Sequence, residues 1–424
     1  MRRREFLVGS AAGAAGLLVP GCGEDQAVDG GAVMPDSGTP DAGFDAGRTD
    51  SGAIDAGAID AGEVDAAPPG CEPPDDSELL SVVRLLGVSR DLDVVLGEGE
   101  QRRLYRDLSL VDAESLVTAK DLFYIRTGFA PEIDAAAWEA SWNLSVHGLV
   151  GAPQNLSIAE LQKEEVDLGQ VTLECSGNYL DAGFGMLSNA EWSGVPIETV
   201  LGWADPDAGT RVHFKGINRY FPLDPLQNTD WIYSRDDLVS AGAFLALGMN
   251  GRPLPIDHGR PCRLIVPRWY GCCCTKWLRE IELVADDVPA TPHMLEYRSR
   301  THQPADVTLA REFIPSVMDV AAVASRVEKR RRGGAIFYRV HGILWGGTAP
   351  AERLVVTGDD FYSVFDATIC PAQTDNDVWT VWWADWNPPG KGAYSLRCRV
   401  EAPALRQRRL DTGFYRRSVV IDEL

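Results

Sequence analysis

The sequence predicts an α+β domain followed by an all-β domain, on three observations. Between about residues 80 and 310, short helical stretches alternate with strand-like runs, without repeated strand–helix–strand units. After about residue 310 the pattern becomes period-two strands separated by turn clusters. The 424 residues, 45% hydrophobic and 24% charged, are of ordinary globular composition and give room for two domains.

Residues 1–22 have the form of an export signal. Arg3-Arg4-Glu5-Phe6-Leu7 has the twin-arginine pattern, and the apolar stretch Val8 to Val19 is too short to span a bilayer. The segment closes on Leu18-Val19-Pro20-Gly21-Cys22, which resembles a lipoprotein cleavage box with Cys22 as the lipidated residue. Export of the folded protein to the periplasm, soluble or held at the membrane by lipid on Cys22, is the expectation.

Residues 23–79 read as a disordered acidic tether. They carry 15 acidic side chains and one basic one, and Asp-Ala-Gly recurs at 41–43, 45–47, 55–57 and 60–62. Small residues and like charges cannot bury a core. The formal net charge of the chain is -22, and an acidic chain repels phosphate backbones, so no nucleic-acid partner is expected.

The α+β domain is assigned to 80–310. Helices are expected at Leu79–Leu86, Ile158–Leu161 and Ile197–Trp203, and strands at Asn143–Leu149, Val171–Cys175, Arg211–Phe214, Arg263–Val266 and Glu280–Val284. In 311–424, strands at Ala335–Leu344, Arg353–Thr357, Val378–Trp383 and Tyr394–Val400, with the turn Asn387-Pro388-Pro389-Gly390, predict an immunoglobulin-like β-sandwich. Trp379, Trp382, Trp383 and Trp386 fall among its core and interface aromatics. The basic clusters Lys329–Arg332 and Arg406–Arg417 read as solvated loops.

Motifs for simple hydrolysis or nucleotide binding are absent. No Gly-x-Ser-x-Gly elbow, phosphate loop, Cys-x-x-Cys or complete Gly-x-Gly-x-x-Gly occurs, and the six histidines are not paired at zinc-helix spacing. Among nine cysteines, Cys370 with Cys398 is a plausible disulfide in an oxidising compartment, and the run Cys272-Cys273-Cys274 suggests one bridge, to Cys262, beside packed thiols. A thiolate metal cluster in that run is the sharper alternative. Cys175 ends a strand and opens the loop Ser176-Gly177-Asn178, a position from which a thiol can meet a ligand.

Three stretches carry a family resemblance. They are Thr172-Leu173-Glu174-Cys175-Ser176-Gly177-Asn178, Ser188-Asn189-Ala190-Glu191-Trp192-Ser193-Gly194-Val195-Pro196, and Met249-Asn250-Gly251-Arg252-Pro253 through Arg263 to Lys276-Trp277-Leu278. Together they resemble the sulfite oxidase family of molybdopterin-dependent oxidoreductases, over roughly 115–424. The resemblance implies a molybdopterin-binding domain followed by a dimerisation-type sandwich, and a homodimer. It implies a molybdenum–molybdopterin cofactor with Cys175 as the protein thiolate on the metal, since soft ligands suit that metal. His258, Arg263, Thr275 and Lys276 would hold the pterin phosphate, Arg supplying a fork of donors and Lys a point charge. Tyr297 and Arg126 would be the catalytic residues at the substrate pocket.

The same resemblance implies oxygen-atom transfer with Mo(VI)/Mo(IV) cycling on a small sulfur- or nitrogen-containing substrate. No haem-binding domain is expected, so electrons would pass to an external carrier such as a c-type cytochrome. Two departures bear on substrate. Arg126-Thr127-Gly128 lacks the family's histidine, and Tyr179-Leu180 stands where sulfite oxidases carry two arginines. Leucine in place of an oxyanion-binding arginine predicts poor use of sulfite. A sulfite or sulfur-compound dehydrogenase proper, or a non-catalytic surface lipoprotein that keeps the fold, are the alternatives.

Overall fold

A computed structural model describes residues 71–74, 76–86, 91–130, 133–178, 184–217, 229–401 and 415–424, all within one compact unit, Gly62–Leu424. The export signal, Cys22, most of the tether, Leu180 and most of the Arg406–Arg417 cluster lie outside the described residues.

Two five-stranded sheets build the first part. One runs Arg252–Pro253, Phe244–Met249, Leu187–Pro196 and Val166–Glu174 in antiparallel order, with Arg263–Ile265 also paired to Phe244–Met249. The other orders Gln154–Leu156, Leu144–Gly148, Leu278–Val284, Arg211–Gly216 and Trp231–Ser234, with one parallel pair between Leu144–Gly148 and Leu278–Val284. Phe244–Met249 is buried along its whole length and reads as a continuous apolar run, the pattern of a strand covered on both faces.

The helices are short and set by their caps. Ile158–Leu161 begins with a capping box in which Ser157 and Glu160 satisfy each other's backbone N–H. Pro292–Tyr297 has proline in its first turn and Thr291 as cap, whose Oγ1 accepts from the Met294 N–H at 3.1 Å. Ile197–Ala204 buries Ile197, Val200, Leu201 and Ala204, which share one face at helical spacing.

An eight-stranded antiparallel sheet follows, in the order Glu78–Val83, Ala321–Arg332, Ala335–Trp345, Thr380–Trp386, Phe365–Ile369, Arg353–Thr357, Gly392–Glu401 and Arg417–Ile421. Its two edges meet where the Leu86 N–H donates to the Ser418 carbonyl at 2.8 Å. Thr380–Trp386 alternates buried and half-buried residues, so Trp382 and Trp386 enter the core while Trp383 is half-buried. Trp379 is also buried.

The structure corrects several sequence expectations. Leu79–Leu86 is not a helix. Its apolar residues also fit the edge strand Glu78–Val83, whose partner Val327–Arg331 comes from far along the chain. Residues 71–74 and 76–79, assigned to the tether, are part of the fold, through the Cys71 disulfide and the strand Glu78–Val83. Lys329–Arg332 is the end of a strand rather than a loop, with Arg331 paired to Glu78 and Arg332 to Asp76 and Asp385. Cys370 pairs with Cys71, 299 residues away with Cα atoms 5.0 Å apart, while Cys398 is a free buried thiol. Cys262, Cys272, Cys273 and Cys274 are also free, so the bridge expected there does not form.

Candidate active site

The loop after strand Val166–Glu174 holds Cys175 in a fixed position. The Cys175 N–H donates to the Met186 carbonyl at 3.0 Å, and the Gly177 N–H donates to Sγ at 3.3 Å. Asn178 closes the loop: its Oδ1 accepts from the Gly185 and Met186 N–H groups at 3.0 and 3.1 Å. Its Nδ2 donates to the Glu174 carboxylate at 3.3 Å. The asparagine amide accepts two backbone bonds at its oxygen while donating from its nitrogen to Glu174, which ties Cys-Ser-Gly-Asn together as a unit. Burial pushes the Cys175 thiol up, and the Arg126 charge and the Gly177 N–H oppose that shift.

A second wall comes from residues 256–276. His258 ends the turn Ile256–His258, and Gly259 follows at φ +110, where a Cβ would stand 2.9 Å from Arg263 Cβ. Arg263 is buried. Its Nη atoms donate to the His258 and Cys274 carbonyls at 3.1 and 3.3 Å, and Nε has no partner. Thr275 Oγ1 is buried without a partner as well. Lys276 Nζ donates to the Thr127 carbonyl and, at 2.8 Å, to that of Asp257. Burial, reinforced by Arg263, holds the Lys276 ammonium well below its ordinary range, with Asp257 opposing. His258 is held well below its usual value by burial and then by Lys276 and Arg263. A buried cationic pocket with spare donors is complementary to a phosphate.

The third wall faces Cys175. Helix Pro292–Tyr297 delivers His293 and Tyr297 on one face at i, i+4, with ring centroids 4.8 Å apart. Paired backbone bonds between Leu104 and Ile125, at 2.9 and 3.1 Å, set Arg103 beside Arg126. Burial, then the Arg126 charge, bring Arg103 down to about 10, with Tyr105, Cys175 and Tyr297 opposing. The Arg300 guanidinium lies over the Tyr297 ring, 5.4 Å from its centre. A Cβ on Gly177 would stand 3.3 Å from Arg300 Nη1 and 3.7 Å from Cys175 Sγ, so the guanidinium reaches the thiol loop.

One cavity thus gathers every residue picked out in the sequence: Arg126, Cys175, His258, Arg263, Thr275, Lys276 and Tyr297 all line it. It also takes in His293 and Cys272, neither of which the sequence marked as a site residue. His293 had a legible signal, being four residues before Tyr297 at helical spacing. Arg103 had none, since its place depends on pairing with Ile125. No cluster of three His, Cys, Asp or Glu side chains suited to a metal exists among the described residues, so Cys272–Cys274 is not such a site there.

Residues 128–291 match the oxidoreductase molybdopterin binding domain, a span that includes five of the seven predicted residues and stops short of Arg126 and Tyr297 on either side. Sulfite oxidase from Gallus gallus is 29% identical over 259 residues, 55% of this chain and 54% of that one. The chain carries an oxidoreductase molybdopterin binding domain, and the relatives it matches are molybdopterin-dependent oxidoreductases. It spans about half the length of that relative. Nitrate reductase [NADPH] from Fusarium oxysporum is 30% identical over 204 residues, 44% of this chain and 22% of its own. The crystal structure of the sulfane dehydrogenase SoxCD from Paracoccus pantotrophus superposes with a TM-score of 0.57 at 17% identity, covering 81% of this chain and 91% of that one, a likeness of fold. Arg263 Nε and Thr275 Oγ1, without hydrogen-bond partners among the described residues, fit the anionic end of a molybdopterin, and the Cys175 thiol fits its metal.

Proposed function

We propose that this chain is an exported oxygen-atom-transfer enzyme acting on a small anionic sulfur- or nitrogen-containing substrate. When bound, the cofactor supplies a redox centre that moves one oxygen atom and two electrons. Cys175 holds the metal as thiolate, while Arg263, Thr275, Lys276 and His258 hold the pterin phosphate. The single observation behind this reading is the set of unmatched buried donors facing the same cavity as Cys175.

Arg126, Arg103 and Arg300 orient the substrate, and Tyr297 hydrogen-bonds the oxygen in transit. Tyr297 is itself buried, which strengthens its hydrogen bond to that oxygen. Leu180 speaks against a dianion, yet Arg103 and Arg300 return positive charge that its position lacks. That favours the second reading, a sulfite or sulfur-compound dehydrogenase, over a neutral sulfoxide or N-oxide.

The twin-arginine signal and Cys22 support export with a lipid anchor, and electrons would pass to an external carrier such as a c-type cytochrome. The antiparallel strands of the C-terminal part support an all-β, immunoglobulin-like domain. Metal analysis of protein made in a molybdopterin-producing host tests the core of the proposal: about one molybdenum per chain supports it, and metal-free protein from that host overturns it.

A further inference from the structure

A second pocket lies away from the active site, where residues 82–85, the segment 106–109 and the strands Ala321–Arg332 and Arg417–Ile421 converge. Its volume is about 280 Å³. Leu85, Leu108 and Phe184 supply apolar wall, Arg84, Arg106, Arg326 and Arg417 supply positive charge, and Asp107 is a carboxylate in the lining, its Oδ1 accepting from the Ser109 N–H and hydroxyl. Two of these arginines are neutralised, Arg106 by Asp93 and Arg326 by Glu328. The other two are not.

Arg417 is 4% exposed. Its guanidinium lies over the Phe184 ring, 4.4 Å from the centre, and Nη1 donates to the Arg416 carbonyl at 3.2 Å. Among the described residues no carboxylate pairs with it. Arg84, exposed at the rim, has none either. A buried guanidinium is strongly desolvated and is ordinarily matched by an anion. Burial brings Arg417 down only to about 10, so it stays charged at neutral pH.

We propose that this pocket binds a small organic anion, its acid group on Arg417 and Arg84 and its apolar body against Leu85, Leu108 and Phe184. The apolar wall distinguishes it from a site for bare inorganic anions. Phe184 packs on Tyr415 and Trp345, which both donate to Glu174, the neighbour of Cys175, so an occupant also braces the active-site loop.

Calorimetry on the full chain tests this with benzoate, inorganic phosphate and neutral benzyl alcohol. Benzoate binds one per chain, phosphate binds at least about tenfold more weakly and benzyl alcohol does not bind. Arg84→Gln weakens benzoate about tenfold. Arg417→Met abolishes the binding without lowering the unfolding midpoint in anion-free buffer, because an unmatched buried charge is gone. Should Arg417→Met fail to fold, the exposed Arg84→Gln carries the test alone. Absence of benzoate binding, or benzoate binding that Arg84→Gln leaves unchanged, overturns the proposal, the latter assigning it to another arginine site. Phosphate binding as tight as benzoate overturns the organic half of it.

Discussion

Tyr415 Oη donates to Glu174 Oε1 at 2.8 Å, so a residue of the C-terminal part holds the carboxylate immediately before Cys175. Trp345 Nε1 donates to the other oxygen at 3.0 Å, and Glu174 is fully buried. The C-terminal sheet is therefore part of the active-site scaffold. Tyr415→Phe removes one donor from a buried carboxylate and should cost about 1.5–3 kcal/mol. Urea unfolding would measure this, and metal content should fall with it, because the Cys175 loop loosens. Unchanged stability would mean that Glu174 is held well enough without Tyr415.

Cys175→Ser should leave the fold intact and remove bound molybdenum, since a hydroxyl is a harder, weaker ligand than a thiolate. Circular dichroism and metal analysis read the two effects separately. Full metal content in the variant would assign the metal to other ligands.

Burial holds His293 down at about 4, against 6.5 for the free side chain. The group is neutral when folded at pH 7 and must take up a proton on unfolding in mild acid. This group's share of the stability is therefore complete above about pH 6.5 and is lost as pH falls toward 4, by about 3 kcal/mol, and buried His258 adds to the same limb. His293→Phe should flatten that acid limb in unfolding curves recorded across the window. A limb of unchanged slope would place the titration on another group.

Arg300→Gln should raise KM for sulfite about tenfold with a smaller change in kcat, since the exposed guanidinium lies over the Tyr297 ring and beside the thiol loop, where it binds rather than reacts. Steady-state assays with ferricyanide as acceptor separate the two constants. Equal KM in variant and parent would leave substrate binding to Arg126 and Arg103.

The cavity-lining residues around Cys175 and His258 were legible because they stand in contiguous motifs whose side chains serve local backbone needs. Asn178 closes its own loop, and Gly259 makes its own turn. Ile158–Leu161 was legible for the same reason, its capping box being local. What escaped depends on partners distant in sequence. Leu79–Leu86 has apolar spacing that suits helix or strand, and only pairing with Val327–Arg331 decides it. Arg103 reaches the site through Ile125, and Cys398 gave way to Cys71, which looked like part of the tether.

The bond between Cys71 and Cys370 makes a covalent ring of the chain, and every residue lining the active-site cavity falls inside it. A protease that cuts any loop between those two positions opens the ring without releasing a fragment. Nicked protein would keep its mass on a non-reducing gel and fall into two bands only once the bond is reduced. Damage to one loop therefore need not mean loss of the domain.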